Sequence, residues 1–181
     1  MFRHGLRRFA TAAAPVVADP SPYLLNLAKA QGTVKGLTGA IGNTPLIRLN
    51  KLSDQTGCEI LGKAEFMNPG GSGIGQGRVT DNLRPDIALL DGSLHISDEK
   101  SIEMVYRCLD EEGLYLGASS SLNVVAAKEV AEKLGRGHTV VTMLCDGAYR
   151  YADRLFSRKW LEAKNLAGAI PKHLEKYIVL P

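Results

Sequence analysis

No stretch of this chain approaches the roughly 18 consecutive apolar residues that a membrane-spanning helix needs, so no integral membrane segment is expected. Cysteine is scarce. Cys58, Cys108 and Cys145 form an odd set without CxxC or Cys/His spacing, which argues against a disulfide framework or a zinc site and leaves each as a small buried hydrophobe. The histidines, His4, His95, His138 and His173, have no mutual spacing suited to a metal or a triad. A basic surface is lacking too. The net charge is +3, but Arg3, Arg7 and Arg8 supply much of the excess, so the body is near neutral and a nucleic-acid partner is not expected. There are no internal repeats.

Acid is absent from residues 1–18, where three arginines, one histidine and the helically spaced Phe2, Leu6 and Phe9 occur together. That composition reads as a mitochondrial presequence, removed on import to the matrix; a disordered basic tail is the alternative. The remainder has the balance of one ordinary globular domain. The whole chain has 181 residues, 45% hydrophobic and 23% charged, with a mean hydropathy of -0.06.

Periodicity predicts a short helix over Tyr23–Gln31, then a Gly-rich stretch, Gly32–Gly42. Leu46, Ile47 and Leu49 suggest a strand and Glu59–Phe66 a second, joined by a polar turn around Ser53–Gly57. Met67–Pro85 is almost all Gly, Asn, Pro and polar residues, a span too long to be one natural connection inside a compact domain. Leu94–Ile96 is a candidate strand. Ser97 or Asp98 can cap a helix whose Ile102, Val105, Tyr106 and Leu109 form a stripe ending at Gly113. Leu114–Leu116 fits a short buried strand, and Ser119–Ser121 precede a helix with Val124, Val125, Ala127, Ala131 and Leu134 inward, closed by Gly135. Thr139–Leu144 is the clearest strand, and Tyr151–Lys164 the last helix. Strands alternating with helices imply an α/β architecture with parallel strands.

Single motifs carry little chemistry. Asn68–Ser72 suits a plain turn or an anion-binding helix start. Gly73–Gly77 lacks the strand before and helix after that a dinucleotide fingerprint requires. Ser119, Ser120 and Ser121 sit where a strand meets a helix, a place for either capping or binding of a polar ring or anion. A small α/β enzyme using this serine cluster is the weakest reading, because no base is spaced to activate Ser119.

Read as consecutive phrases, the motifs become specific. Ile41–Leu49 (IGNTPLIRL) and Lys63–Ser72 (KAEFMNPGGS) resemble the opening of a cysteine synthase, or O-acetylserine sulfhydrylase, a family that also resembles cystathionine β-synthase. Gly73–Gly77, Glu111–Gly113, Gly117–Ser120 and Thr139–Tyr151 resemble the second half of that family in the same order. The resemblance implies a fold-type II pyridoxal phosphate (PLP) enzyme, three layers around a mainly parallel sheet. Its chemistry is β-replacement, making L-cysteine from O-acetylserine and sulfide.

The resemblance also implies a large internal deletion. In the family, Asn-Pro-Gly-Gly-Ser is followed at once by a Val-Lys-Asp-Arg-like run whose lysine forms the Schiff base with PLP. Here Ser72 is followed by Gly73. The substrate-binding Thr/Ser-Gly-Asn-Thr loop and the Gly-Thr-Gly-Gly-Thr phosphate loop occur nowhere in the chain, and most of the small domain goes with them. The implied organisation is a presequence over 1–18, the N-terminal part of the large domain over 19–72, its C-terminal part over 73–164 and a tail over 165–181.

Of the cofactor contacts, Ser119 matches the family serine that hydrogen-bonds the pyridine nitrogen of PLP. Asp146–Tyr151 (DGAYRY) matches a segment that in many relatives reads Asp-Ser-Gly-Glu-Arg-Tyr, and its Ala148 and Tyr149 depart from that pattern. Lys63, the nearest retained lysine, precedes the seam within a strand and reads as structural. No catalytic or metal residue is therefore expected. The chain reads as a truncated, inactive isoform whose own PLP binding is doubtful, or as a non-catalytic partner that forms homodimers or pairs with full-length subunits.

Overall fold

Two strands, Leu46–Arg48 (β1) and Glu59–Lys63 (β2), pair antiparallel, and Thr139–Met143 (β3) joins β2 in parallel, giving the order β1-β2-β3. The structure is a computed structural model and describes residues 41–67, 81 and 84–181. The presequence, the expected Tyr23–Gln31 helix, most of the Gly-rich stretch and the Ser72–Gly73 seam lie outside the described residues.

The connection from β1 to β2 corrects the expectation of a polar turn: it is a helix, Asn50–Thr56 (α1). Leu49, Leu52 and Ser53 share its buried side, a pattern of i, i+3, i+4 hidden by the polar residues between them. Gly57, at φ 70°, ends the helix with its N–H on the Ser53 carbonyl, a left-handed cap that glycine adopts without a Cβ penalty. In β2, Ile60 and Gly62 point inward while Glu59 is exposed. A Cβ on Gly62 would stand 2.6 Å from Cδ1 of Leu144, so the close approach itself selects glycine.

Asp98–Glu112 (α2) begins at Ser97, whose side chain accepts from the Lys100 N–H, with Asp98 and Glu99 in the first turn where the helix dipole favours acid. The expected stripe is only half of what α2 buries. Ile102, Val105 and Tyr106 face a C-terminal cluster with Leu155, Phe156, Leu161 and Leu174. Met104 and Cys108 face a second cluster with Leu49, Ile60, Val124 and Leu144 under the sheet. One helix thus joins both parts of the core. Ala118–Leu134 (α3) lies against α2, β2 and β3.

Several expectations give way to packing. Leu94–Ile96 is not a strand, and Leu94 is 39% exposed. Leu116 makes only an isolated bridge with Gly147. Leu134 is 41% exposed rather than inward. The single last helix is two, Ala152–Leu155 (α4) and Arg158–Ala163 (α5). Its break has a cause. Phe156 is buried, Ser157 caps α5 by accepting from the Trp160 N–H, and the same hydroxyl donates to the Pro181 carbonyl at 2.8 Å.

Residues 165–181 are accordingly no loose tail. Leu166, Ile170 and Leu174 are buried, and the Tyr177 hydroxyl donates to Asp110 at 2.8 Å. Cys58 and Cys108 are buried as expected, whereas Cys145 is only half-buried. Among the described residues no helix is long and apolar enough to cross a membrane. The class is mixed α/β. The described residues form two of the implied three layers, since the outward face of the sheet leaves Leu46 53%, Val141 58% and Met143 47% exposed.

Candidate functional site

Ser119 stands in the first turn of α3, at the C-terminal end of β3, which is where open α/β sheets place ligands. The three serines do not cap the helix. The N-cap is Gly117, with no side-chain cap bond, and each serine is set differently. Ser119 Oγ donates to Asp146 Oδ1 at 3.1 Å. Ser120 Oγ donates to the Asp146 carbonyl at 2.8 Å and accepts from the Asp146 N–H at 2.9 Å. Ser121 Oγ is buried without a hydrogen-bond partner.

Asp146 organises this end of the fold. It is 1% exposed, and the Gly117 N–H donates to its carbonyl at 3.1 Å. A Cβ on Gly117 would run into the Asp146 carboxylate, so Gly117 is what lets the loop seat against α3. The Asp146 carboxylate beside the Tyr151 hydroxyl holds that phenol above its ordinary range, with burial adding to the effect. Burial, followed by the Asp146 charge, raises the Cys145 thiol. Sequence reasoning assigned Asp146 and Tyr151 no role. The available signal was an acid just past the end of the clearest strand, with Cys145 between them, the position from which α/β sheets present functional groups.

These groups border a cleft of about 460 Å³, a volume within the range of small-molecule sites. Its polar lining is Asp98, Ser101, Ser119, Asp146, Tyr151 and Arg154; Leu122, Leu155 and Trp160 form apolar walls. Two carboxylates against one guanidinium make it lean anionic.

The fit to PLP is one-sided. Ser119 offers a hydroxyl of the kind that meets a pyridine nitrogen. Among the described residues no lysine lines the cleft, and Arg154 is the lone cation there for a phosphate dianion that also faces Asp98 and Asp146. Lys63 is elsewhere, on the outward side of β2. Its ammonium donates to the carbonyl and hydroxyl of Thr44 and lies 3.6 Å from Glu65. Thr44 Oγ1 in turn donates to Glu65 at 2.6 Å. The described residues therefore offer one hydroxyl of a suitable kind, itself bonded to Asp146, and lack the amine and phosphate cradle, so they do not fit the whole cofactor.

No protein-family model matches the chain. Whole relatives do. It is 40% identical over 376 residues to cysteine synthase 1 of Neurospora crassa, an alignment covering 100% of both chains. The chain belongs to the cysteine synthase family. Cysteine synthase 1 of Emericella nidulans is 37% identical over 371 residues, again with 100% of each chain covered. The cysteine synthase of Dictyostelium discoideum is 39% identical over 112 residues, 62% of this chain and 28% of that one.

The aligned length of 376 exceeds the chain's 181 residues by 195, and with both ends matched that excess is an internal gap. Cysteine synthases are fold-type II PLP enzymes, and the small mixed sheet with its helices is what this member keeps of that fold.

Proposed function

We propose that this chain is a cysteine synthase family member that does not form cysteine by itself. The carrying observation is that, among the described residues, no lysine borders the cleft holding Ser119 and Asp146, while Lys63 is bound to Thr44 away from it. β-Replacement on PLP needs a lysine both to hold the cofactor and to move the Cα proton of O-acetylserine. Neither task has a residue among the described ones that border the cleft. The absent Val-Lys-Asp-Arg-like run and the absent substrate and phosphate loops support the same reading.

The test is direct. The purified chain is titrated with PLP and supplied with O-acetylserine and sulfide. The expected result is no visible Schiff-base band and no cysteine above the uncatalysed background. A saturable band with sustained cysteine formation overturns the reading.

A second reading is that the chain pairs with full-length family subunits and modulates them. The open outer face with Leu46, Val141 and Met143 favours it, since exposed apolar groups of this kind mark interfaces. Co-expression with a tagged full-length cysteine synthase, followed by affinity capture and activity assay, distinguishes a stable hetero-complex from independent chains. Residues 1–18 direct the chain to the mitochondrial matrix in this proposal, on the strength of their arginines and helical apolar spacing. A reporter carrying those residues is expected to be imported and cleaved, and one carrying Arg3→Glu, Arg7→Glu and Arg8→Glu is not.

A further inference from the structure

The outer side of β3 has the geometry to pair with itself. β2 takes the backbone of alternate β3 residues: the Glu59 N–H donates to the His138 carbonyl at 2.8 Å and the Leu144 N–H to the Lys63 carbonyl at 2.9 Å. By the alternation of a parallel ladder, the N–H and C=O groups of Thr139, Val141 and Met143 point the other way. No further strand lies beyond β3 among the described residues. The Met143 carbonyl accepts from Asn123 Nδ2 at 2.9 Å and, at 3.8 Å, from the Cys145 thiol, so the groups of Val141 are the open centre of this edge.

Sheets usually protect such edges with charge, proline, a bulge or a covering element. Thr139–Met143, TVVTM, carries none of the residues that do so. The strand is also self-complementary. If two copies meet antiparallel about Val141, that residue exchanges both backbone bonds with its counterpart, and Thr139 does so with the other copy's Met143. The symmetry axis then runs perpendicular to the sheet.

The neighbouring helix suits the same arrangement. Asn123 reaches the open edge, so the side of α3 that carries it overhangs β3. At helical spacing the residues following on that side are Ala126, Val130 and Leu134. Val130 is half-buried and Leu134 is 41% exposed. Pairing through β3 would lay α3 antiparallel to its copy over this apolar stripe.

We infer that the chain forms a symmetric homodimer by antiparallel pairing of β3 edges centred on Val141, with the Val130 and Leu134 side of α3 packing across the axis. The interface is independent of any catalytic reading, because it uses no residue of the cleft. Sedimentation of the full chain over a range of concentrations is the first test, with Val141→Pro and Val141→Lys beside it. Val141→Pro removes an outward N–H without touching a bond to β2, and Val141→Lys installs an edge charge.

The wild type is expected to reach twice the monomer mass, both variants to stay monomeric, and their far-ultraviolet dichroism to match the wild type. Should the variants lose structure, amide exchange on the wild type decides. The Val141 N–H is expected to exchange more slowly as concentration rises. A monomer at every concentration, open-ended particles, association only with full-length subunits, or a Val141 amide indifferent to concentration overturns the inference.

Discussion

The two sides of α2 and the two sides of the sheet present opposite cases. Around α2, residues from far along the chain close on one another. Tyr106, buried, donates its hydroxyl to the Leu155 carbonyl at 2.7 Å, and its ring lies tilted against Phe156 with centroids 5.2 Å apart. The C-terminal segment completes that cluster through Leu174 and the Leu180 bridge. Across the sheet, the inward Ile60 is fully buried while Val141 is 58% exposed. The difference teaches that the described residues supply partners for the helical core and for one face of the sheet only. What holds the chain together and what invites a partner are spatially separate.

That contrast is open to attack by substitution. Leu161→Ala should have the largest effect, a loss of about 2–5 kcal/mol in urea unfolding, since it hollows a fully buried position. Tyr106→Phe keeps the ring but leaves the buried Leu155 carbonyl unpaired, and should cost about 1–3 kcal/mol in the same measurement.

Cys108 tests burial by pH. Its thiol is pushed from about 9 up to about 12, chiefly by burial. Between those values the unfolded chain ionises and the folded chain does not, so the folded state binds more protons and stability falls as pH rises. The Cys108 share of the slope is expected to approach about 1.4 kcal/mol per pH unit above pH 9, and Cys108→Ala should remove that share and leave the part due to the buried Tyr106 phenol. Smallest of all, Leu46→Ser on the outward face should change stability by less than about 0.5 kcal/mol. If it rivalled Leu161→Ala, the outer face would not be open.

Elements with a long period or a clean alternation were legible in the sequence: β3, α2 with its Ser97 cap, and α3 as far as Gly135. Others depended on tertiary company. α1 has one apolar residue inside it, Leu52, and is helical because that residue and Leu49 find the core. The Leu116 segment fails as a strand because it finds only Gly147 to bridge. The last helix breaks where Ser157 and Leu180 meet, a contact over 20 residues long in sequence that no local window contains.

The site divides in the same way. Ser119 stood out through its phrase, Gly117–Ser120, and the structure sets it against Asp146. Asp146 itself was passed over, because its importance lies in a bond from α3 and in the space left by Gly117. Neither is written in the DGAYRY segment.

The most direct test of the central claim is chemical. The purified chain is incubated with PLP, reduced with cyanoborohydride, digested and mapped by mass spectrometry. The account predicts no stoichiometric adduct on any lysine, only scattered substoichiometric labelling that is unchanged in Ser119→Ala. A single stoichiometric adduct, on Lys63 or any other lysine, that depends on Ser119 would contradict it.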